Sequence, residues 1–410
     1  MHILFLSDNF PPEVNAPASR TFEHCREWVA AGHKVTVVTG APNFPKGEVF
    51  AGYRNRLWSK ETVAGIEVIR VWTYITRNEG FVRRSLDFIS FMVTAFVASF
   101  FVRKPDVVVG TSPQFFTACA AFGVGLTRRR PWVFELRDLW PESIRAVTPM
   151  KTSPLLDALE WLELQLYRKA SAVVAVTEAF REDLTRRGIE GSKIHVVTNG
   201  VDLGRFQPMP RDEALARSLG LQGRFVVGYI GTHGLAHGLD TLLDAARLLA
   251  QEEAPVSFLF LGDGAERSRL VERARDEGLA NAIFLETVSK EDVPRYWSLL
   301  DAPIVHLKKD ELFKSVIPSK IFECMAMGLP ILHGVEGESA EIVTRHEVGL
   351  TFEPGNAHQL ADRVRTMMVR DDERERLAAN GPVAAAMFDR RALAGRMMAI
   401  LREVAGEERR

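Results

Sequence analysis

Short runs of apolar residues alternate with longer segments whose apolar positions recur every three or four residues, and the alternation spans the chain. In the first half the apolar runs are 2–7, 34–39, 66–72, 106–110, 132–136, 172–176 and 194–197; in the second they are 225–230, 256–261, 282–285, 302–307 and 330–333. Continuous runs of this length between amphipathic helices predict parallel strands covered on both faces. The stretch from Asn199-Gly-Val-Asp202 to Pro208-Met-Pro210 interrupts the series, so a linker is expected at about 204–211. The expected organisation is two doubly wound α/β domains, 1–207 and 208–387, and a final amphipathic helix at about 388–405 after the breaker pair Gly381-Pro382. Two such domains would set the C-terminal ends of their strands on either side of a cleft, where open α/β sheets bind ligands.

Ser85–Val102 departs from this rhythm, with 13 apolar residues in 18 between Arg83-Arg84 and Arg103-Lys104. Its length alone suits a membrane span. However, Pro105-Asp-Val-Val-Val-Gly110 follows at once as the next strand of the same sheet. Asp87 would also cost roughly 2.5–3.5 kcal/mol at mid-bilayer. A buried or interface-lying helix is therefore expected. The net charge of −1 hides an asymmetry: residues 1–207 carry 26 Lys/Arg against 21 Asp/Glu, and the remainder carries 26 against 32. An excess of cations in the half that holds the apolar helix suits an anionic surface, such as a phospholipid leaflet.

At 410 residues with 46% hydrophobic content, the chain has the size and composition of a two-domain globular protein. Cys25, Cys119 and Cys324 are odd in number, widely spaced and in apolar surroundings, which points to a reducing compartment without a disulfide frame. The opening Met-His-Ile-Leu-Phe-Leu-Ser-Asp8 lacks a basic leader and reads as a first strand, so a cytoplasmic location is expected. Neither Cys/His ligand spacing nor an Asp-x-Asp triplet occurs, so no metal is expected.

The most informative stretch is Val316-Ile-Pro-Ser-Lys-Ile-Phe-Glu-Cys-Met-Ala-Met-Gly-Leu-Pro-Ile-Leu332. It predicts a loop, a helix capped by Ser319, and a buried strand. Free N–H groups at that helix start would favour an anion, Lys320 adds a full charge, and Glu323 lies one turn on, placed to accept from paired hydroxyls. A diphosphate beside a ribose diol satisfies all of these groups. Phe225-Val-Val-Gly-Tyr-Ile-Gly231-Thr-His-Gly234-Leu-Ala-His-Gly238 predicts a strand and a glycine-rich turn into a helix, which suits either a phosphate or close packing. In the first half, Val133-Phe-Glu-Leu-Arg137-Asp138-Leu-Trp140-Pro141-Glu142-Ser143 follows a strand directly, where charged residues tend to face a cleft. Asp138 could position a sugar hydroxyl or accept a proton, or could pair with Arg137 to fix the loop. Glu13, Asn15 and Arg20, in and after the loop that leaves the first strand, are candidates for acceptor or sugar hydroxyls.

Together these motifs resemble glycosyltransferase family 4, and Arg-Asp-Leu-Trp-Pro-Glu-Ser with Pro-Ser-Lys-x-x-Glu resembles its N-acetyl-L-fucosaminyl transferase-like subfamily of bacterial surface-polysaccharide biosynthesis. The resemblance implies a GT-B fold, two Rossmann-like domains facing across a cleft with the last helix returning to the first. It implies retaining transfer from a UDP-sugar, without metal or other cofactor, to a polyprenyl-diphosphate-linked saccharide of an O-antigen or capsule pathway. It also implies peripheral contact with the cytoplasmic face of the inner membrane. Catalytic roles fall to Asp138 and Arg137, and donor binding to Gly231, His233, Gly234, His237, Lys308, Lys320, Glu323, Gly262 and Thr287.

The chain departs from the family pattern at four positions. Thr232 and His237 stand where an Arg and a Lys usually meet the diphosphate, Ser315 replaces the first glutamate of a pair, and Arg137 replaces a histidine. Lys320, Lys308 or Lys314 would then have to supply the missing charge. A UDP-sugar 2-epimerase and a non-catalytic nucleotide-binding module remain alternatives on the sequence alone.

Overall fold

The structure is a computed structural model that describes residues 1–44, 46–76, 81–139 and 154–407. The chain divides into two units, Met1–Asn199 with Arg390–Arg410, and Gly200–Asp389. The division falls a few residues before the expected 207/208. Val201 N–H donates to Phe388 O at 3.0 Å, and Phe206 is buried in the core of the second unit.

In the first unit, β1 (His2–Leu6), β2 (Lys34–Gly40), β3 (Trp58–Val63), β4 (Ile66–Val71), β5 (Val107–Thr111), β6 (Trp132–Leu136), β7 (Ala172–Ala175) and β8 (Ile194–Val196) form one sheet in the order β3-β4-β2-β1-β5-β6-β7-β8. Every pairing is parallel except β3 with β4. In the second unit, β9 (Phe225–Ile230), β10 (Val256–Leu261), β11 (Ala282–Leu285), β12 (Ala302–His306), β13 (Ile331–Gly334) and β14 (Gly349–Thr351) form a parallel sheet in the order β11-β10-β9-β12-β13-β14. Every apolar run read from the sequence is a strand. The interior strands are buried along nearly their whole length, which is why they read as continuous apolar runs.

Each sheet reverses its order beside one strand: β1 lies between β2 and β5, and β9 between β10 and β12. Loops leaving the C-terminal ends of such strands sit at the position where doubly wound folds place ligands. In the first unit that loop begins at Ser7, and in the second at Gly231.

The closing helix Arg390–Ala405 packs on the first unit. Its Leu393, Ala394 and Met397 join Ile3, Phe5 and Trp28 in one core cluster, and Trp28 Nε1–H donates to Ala394 O at 2.9 Å. Gly381-Pro382 does not break the preceding segment as expected. Helix Asp371–Ala385 runs through both residues, and a Cβ on Gly381 would lie 2.6 Å from Met325 O, so the glycine serves close helix packing. The 85–102 run forms helix Phe81–Ser99. Its Phe91, Ala95 and Ala98 are buried, whereas Leu86, Ile89, Val93 and Val97 form an exposed face. No helix among the described residues is long and apolar enough to cross a membrane.

Candidate functional site

Beyond β9 the chain turns through Gly231 at φ +142°, a conformation costly for residues with a side chain. The reason for glycine lies in helix Lys320–Ala326. A Cβ on Gly231 would sit 2.6 Å from Lys320 Nζ and nearer still to its Cε, so the lysine occupies the space that the glycine leaves open. Lys320 Nζ donates to the Tyr229 hydroxyl at 2.7 Å and lies 4.1 Å from the centre of that ring. Tyr229 is buried, and its own O–H donates to Thr232 O at 2.9 Å. Burial lowers the Lys320 pKa to about 8, against the opposing pull of Glu323. The loop thus holds an ammonium ready to meet an anion over its own backbone.

A second glycine turn braces the first. Gly262 and Gly264, at φ +141° and +156°, follow β10, and a Cβ on Gly264 would meet His233 O at 2.5 Å. His233 N–H donates to Asp263 O at 2.8 Å, and Glu266 N–H to His233 O at 2.9 Å. Only glycines at these positions allow the two backbones to pack together.

Two histidines complete the loop. His233 is fully buried with both ring nitrogens unpartnered, and its ring lies 6.0–6.4 Å from those of Tyr229, Phe284 and Phe260. His237, in the turn Leu235–His237, sets its ring 5.8 Å from Tyr229 with Nδ1 buried and unpartnered. Burial first, then neighbouring cations, lowers both pKa values to about 4, Arg267 and Lys320 acting on His233 and Lys320 on His237. His306 pins the far side of the turn. Its Nδ1 lies 2.7 Å from His237 O, and its Nε2 accepts from Gly355 N–H at 3.1 Å, which assigns the donated proton to Nδ1.

Glu323 Oε2 accepts from buried Trp297 Nε1–H at 3.2 Å, which fixes the carboxylate one turn beyond Lys320. The expected cap at Ser319 is absent: Ser319 is itself in helical conformation, its hydroxyl makes no cap bond, and the helix has only seven residues. The anion-attracting element here is therefore the Lys320 charge more than a helix terminus. Lys308 borders the loop, with its N–H on Ala236 O at 2.8 Å and its Cγ 3.0 Å from where a Gly238 Cβ would lie. Lys314 is engaged on the surface by Glu311 at 2.6 Å and Glu336 at 3.7 Å, and Ser315 Oγ donates to Leu312 O at 2.9 Å. Thr287 is exposed just beyond β11.

In the first unit, the residues expected to meet an acceptor are used internally. Glu13 is buried and accepts from the N–H groups of Phe10, Asn43 and Phe44, latching two loops together. Asn15 caps helix Ala16–Ala30 by accepting from Ala18 N–H at 2.9 Å, and its amide donates to Asn9 Oδ1 at 2.6 Å. Arg20 is buried, with Nε on Glu135 Oε1 at 2.9 Å, Nη1 on Thr198 O at 2.7 Å and Nη2 on Val197 O at 2.8 Å. Glu13, Asn15 and Arg20, expected at an acceptor, are thus each engaged with protein partners, Glu13 across two loops, Asn15 at a helix start and Arg20 on β6 and the segment after β8.

Arg137 differs from Arg20. Its Nε and Nη1 are buried without partners, and burial lowers its pKa to about 10 despite the nearby Glu135. The N–H groups of Arg137 and Asp138 both reach Ser112 Oγ, at 2.8 and 3.2 Å, which sets the turn after β6. Glu135 is fully buried. Burial would raise its pKa, but Arg20 and Arg137 outweigh that and hold it at about 2. Trp140-Pro141-Glu142-Ser143 lies outside the described residues.

Three residues that organise these sites carry no sequence signal of their own. Tyr229 reads as one apolar strand position, Trp297 as one position on a short helix, and Glu135 as a polar interruption within β6. Only the spatial neighbours Lys320, Glu323 and Arg20 reveal their roles.

Comparison with known proteins followed the same division of the chain. A model described as a glycosyl transferase 4-like domain matches residues 15–200, and one described as glycosyl transferases group 1 matches residues 211–383. The chain is 26% identical over 340 residues to a protein of Escherichia coli (strain K12) named as a candidate colanic acid biosynthesis glycosyl transferase, WcaI, covering 80% of this chain and 82% of that one. It is 26% identical over 388 residues to a GDP-mannose-dependent alpha-mannosyltransferase of Mycobacterium tuberculosis, covering 93% and 92%. Among solved structures, sucrose-phosphate synthase from Thermosynechococcus elongatus superposes with a TM-score of 0.80 at 18% identity, covering 99% of each chain. Anabaena Alr3699/HepE in complex with UDP and glucose gives 0.72 at 19% identity, covering 97% and 98%. These likenesses carry the GT-B fold that the sequence led us to expect.

Proposed function

We propose, from the premise that this chain is a glycosyltransferase of the group 1 family, that it moves a sugar from a UDP-sugar to a lipid-linked saccharide in the assembly of a bacterial surface polysaccharide. The observation that carries the donor half is Lys320, held over Gly231 by Tyr229 with the Glu323 carboxylate one turn away. A diphosphate accepts from the ammonium and from the loop N–H groups, and the carboxylate accepts from ribose hydroxyls. Similarity to a UDP complex favours uridine, and similarity to a colanic acid transferase favours polysaccharide assembly. The N-acetyl-L-fucosamine preference rests on the Arg-Asp-Leu-Trp-Pro-Glu-Ser and Pro-Ser-Lys-x-x-Glu resemblance alone.

The chemistry in this reading is front-face transfer with retention. The bond from the anomeric carbon to the diphosphate oxygen breaks, and the acceptor oxygen bonds to that carbon on the same face. The departing diphosphate oxygen receives the acceptor's proton. Lys320 offsets the growing charge without a metal ion. Asp138 and Arg137, at the C-terminal end of β6, are the groups we assign to the sugar and acceptor.

The lipid-linked acceptor implies a membrane surface, and the first unit offers one. Leu86, Ile89, Val93, Val97, Phe100 and Phe101 are exposed along one helix face and its continuation, with exposed Arg83, Arg84, Arg103 and Lys104 at its two ends. An apolar face with basic ends suits an anionic leaflet, which supports the reading of a reaction at the cytoplasmic face of the inner membrane. The test is nucleotide release and label transfer to extracted lipid, using UDP-sugars with a polyprenyl-diphosphate saccharide. No release from any UDP-sugar in the presence of that acceptor would overturn the reading.

A further inference from the structure

The glycine loop 231–238 has no Lys or Arg of its own, yet it has gathered unpartnered nitrogen at the same place. Tyr229 is the hub. Lys320 lies 4.1 Å from its ring, His237 5.8 Å and His233 6.0 Å. Three buried imidazole nitrogens in this cluster, both of His233 and Nδ1 of His237, have no hydrogen-bond partner. Buried polar atoms are nearly always satisfied, so the unpartnered Nδ1 of the half-buried His237, beside the Lys320 ammonium, points to a ligand that completes it. An anion with several oxygens fits, because the Lys320 ammonium and a protonated His237 nitrogen can both donate to it.

We infer that the loop binds the diphosphate of its donor together with a proton, taken from solvent by His237, so that a titrating imidazole supplies the cation that the loop lacks. The inference rests on the donor-site reading above. His237 is the proton acceptor because it is the half-buried member of the pair, whereas His233 is sealed among Phe260, Phe284 and Tyr229. The titratable groups facing His237 are Lys320 from the helix after Pro318, His233 from its own loop, His306 from β12 and the Tyr229 hydroxyl. Those facing His233 are Arg267, Lys320 and Asp263. Without an anion, burial and these cations hold His237 neutral, at a pKa of about 4. A negative charge about 4 Å away at a protein-surface dielectric raises a pKa by roughly three units. That suffices to bring the His237 pKa close to neutral pH, so that the ring takes up a proton there, whereas Lys320, at about 8, is already mostly charged.

Isothermal titration calorimetry of the full chain reads the proton directly. The probes are UDP-N-acetylglucosamine and GDP-mannose, whose diphosphate diesters do not titrate near neutrality, and each is titrated in buffers of different ionisation enthalpy. At about pH 6.8 the expected result is uptake of roughly half to one proton, with affinity falling about three- to tenfold per pH unit up to about pH 7.5. His237→Lys should retain binding and lose the uptake, and His237→Asn should lose both the uptake and part of the affinity. Binding without proton uptake, or uptake that persists in His237→Lys, overturns the inference and leaves the donor site standing. Binding of neither probe overturns the donor reading and this inference with it.

Discussion

Replacing Gly231 by alanine tests the loop at its tightest point. The added Cβ would lie 2.6 Å from Lys320 Nζ, well inside the roughly 3.5–4.0 Å of an ordinary non-bonded contact. The lysine must therefore leave its place on Tyr229, giving up the 2.7 Å hydrogen bond and the 4.1 Å ring contact. A hydrogen bond to a charged group contributes about 1.5–3 kcal/mol, and a cation over an aromatic ring about 0.5–2 kcal/mol. Holding alanine at φ +142° adds about 1–3 kcal/mol of backbone strain. Partial relaxation of the side chain will recover some of this, so we expect a stability loss of about 2 kcal/mol and a Tm drop of several degrees. Displacing Lys320 from the loop should weaken nucleotide binding about 10- to 100-fold. Thermal melting and calorimetric titration with UDP measure the two effects. A variant that melts and binds UDP like the wild type would refute the argument that glycine is present to make room for Lys320.

Arg20→Met should destabilise the first unit by about 3–5 kcal/mol in urea unfolding, because it leaves Glu135 charged, buried and without its main partner; a loss below about 1 kcal/mol would contradict the internal role assigned to Arg20. His333 is buried, with Nε2 2.8 Å from Ser339 Oγ and a pKa lowered by burial to about 3. The unfolded chain therefore binds that proton first, and the stability conferred by the neutral ring is present above about pH 6.5 and lost as pH falls. Between about pH 6.5 and 5, the wild type should lose about 2 kcal/mol more than His333→Asn, and parallel unfolding curves at both values would count against it. Val97→Ser combined with Phe101→Ser should lower co-sedimentation with anionic vesicles severalfold while leaving Tm nearly unchanged, since both side chains are exposed. Unchanged sedimentation would remove this face from the membrane reading.

The parallel strands were legible because burial on both faces makes them continuous apolar runs. The strands not anticipated fail that condition. β3, Trp-Ser-Lys-Glu-Thr-Val, alternates exposed and half-buried positions at a sheet edge, and β14 has only three residues. The turn at Ala64-Gly65, with both residues at positive φ, is what pairs β3 with β4. In the second unit the one-turn spacing of Lys320 and Glu323 and the glycines of the loop could be read directly, because they depend on local geometry. Tyr229 and Trp297 could not, since each acts through a partner 91 or 26 residues away. The same limit explains Glu13, Asn15 and Arg20. Asn15 caps helix Ala16–Ala30 and Arg20 lies within it, and nothing local in the sequence shows the partners they hold, since Glu135 lies 115 residues beyond Arg20.

The central claim is that Lys320 and Glu323 mark a nucleotide-sugar site with uridine as its base. The most direct measurement is a calorimetric titration of the purified chain with UDP, GDP and ADP, beside Glu323→Ala shown to be folded by its melting curve. The account predicts binding selective for UDP and weakened about tenfold or more in the variant, the carboxylate having lost its ribose contacts. Binding by none of the three nucleotides, or a Glu323→Ala variant that binds UDP as tightly as the wild type, would contradict it.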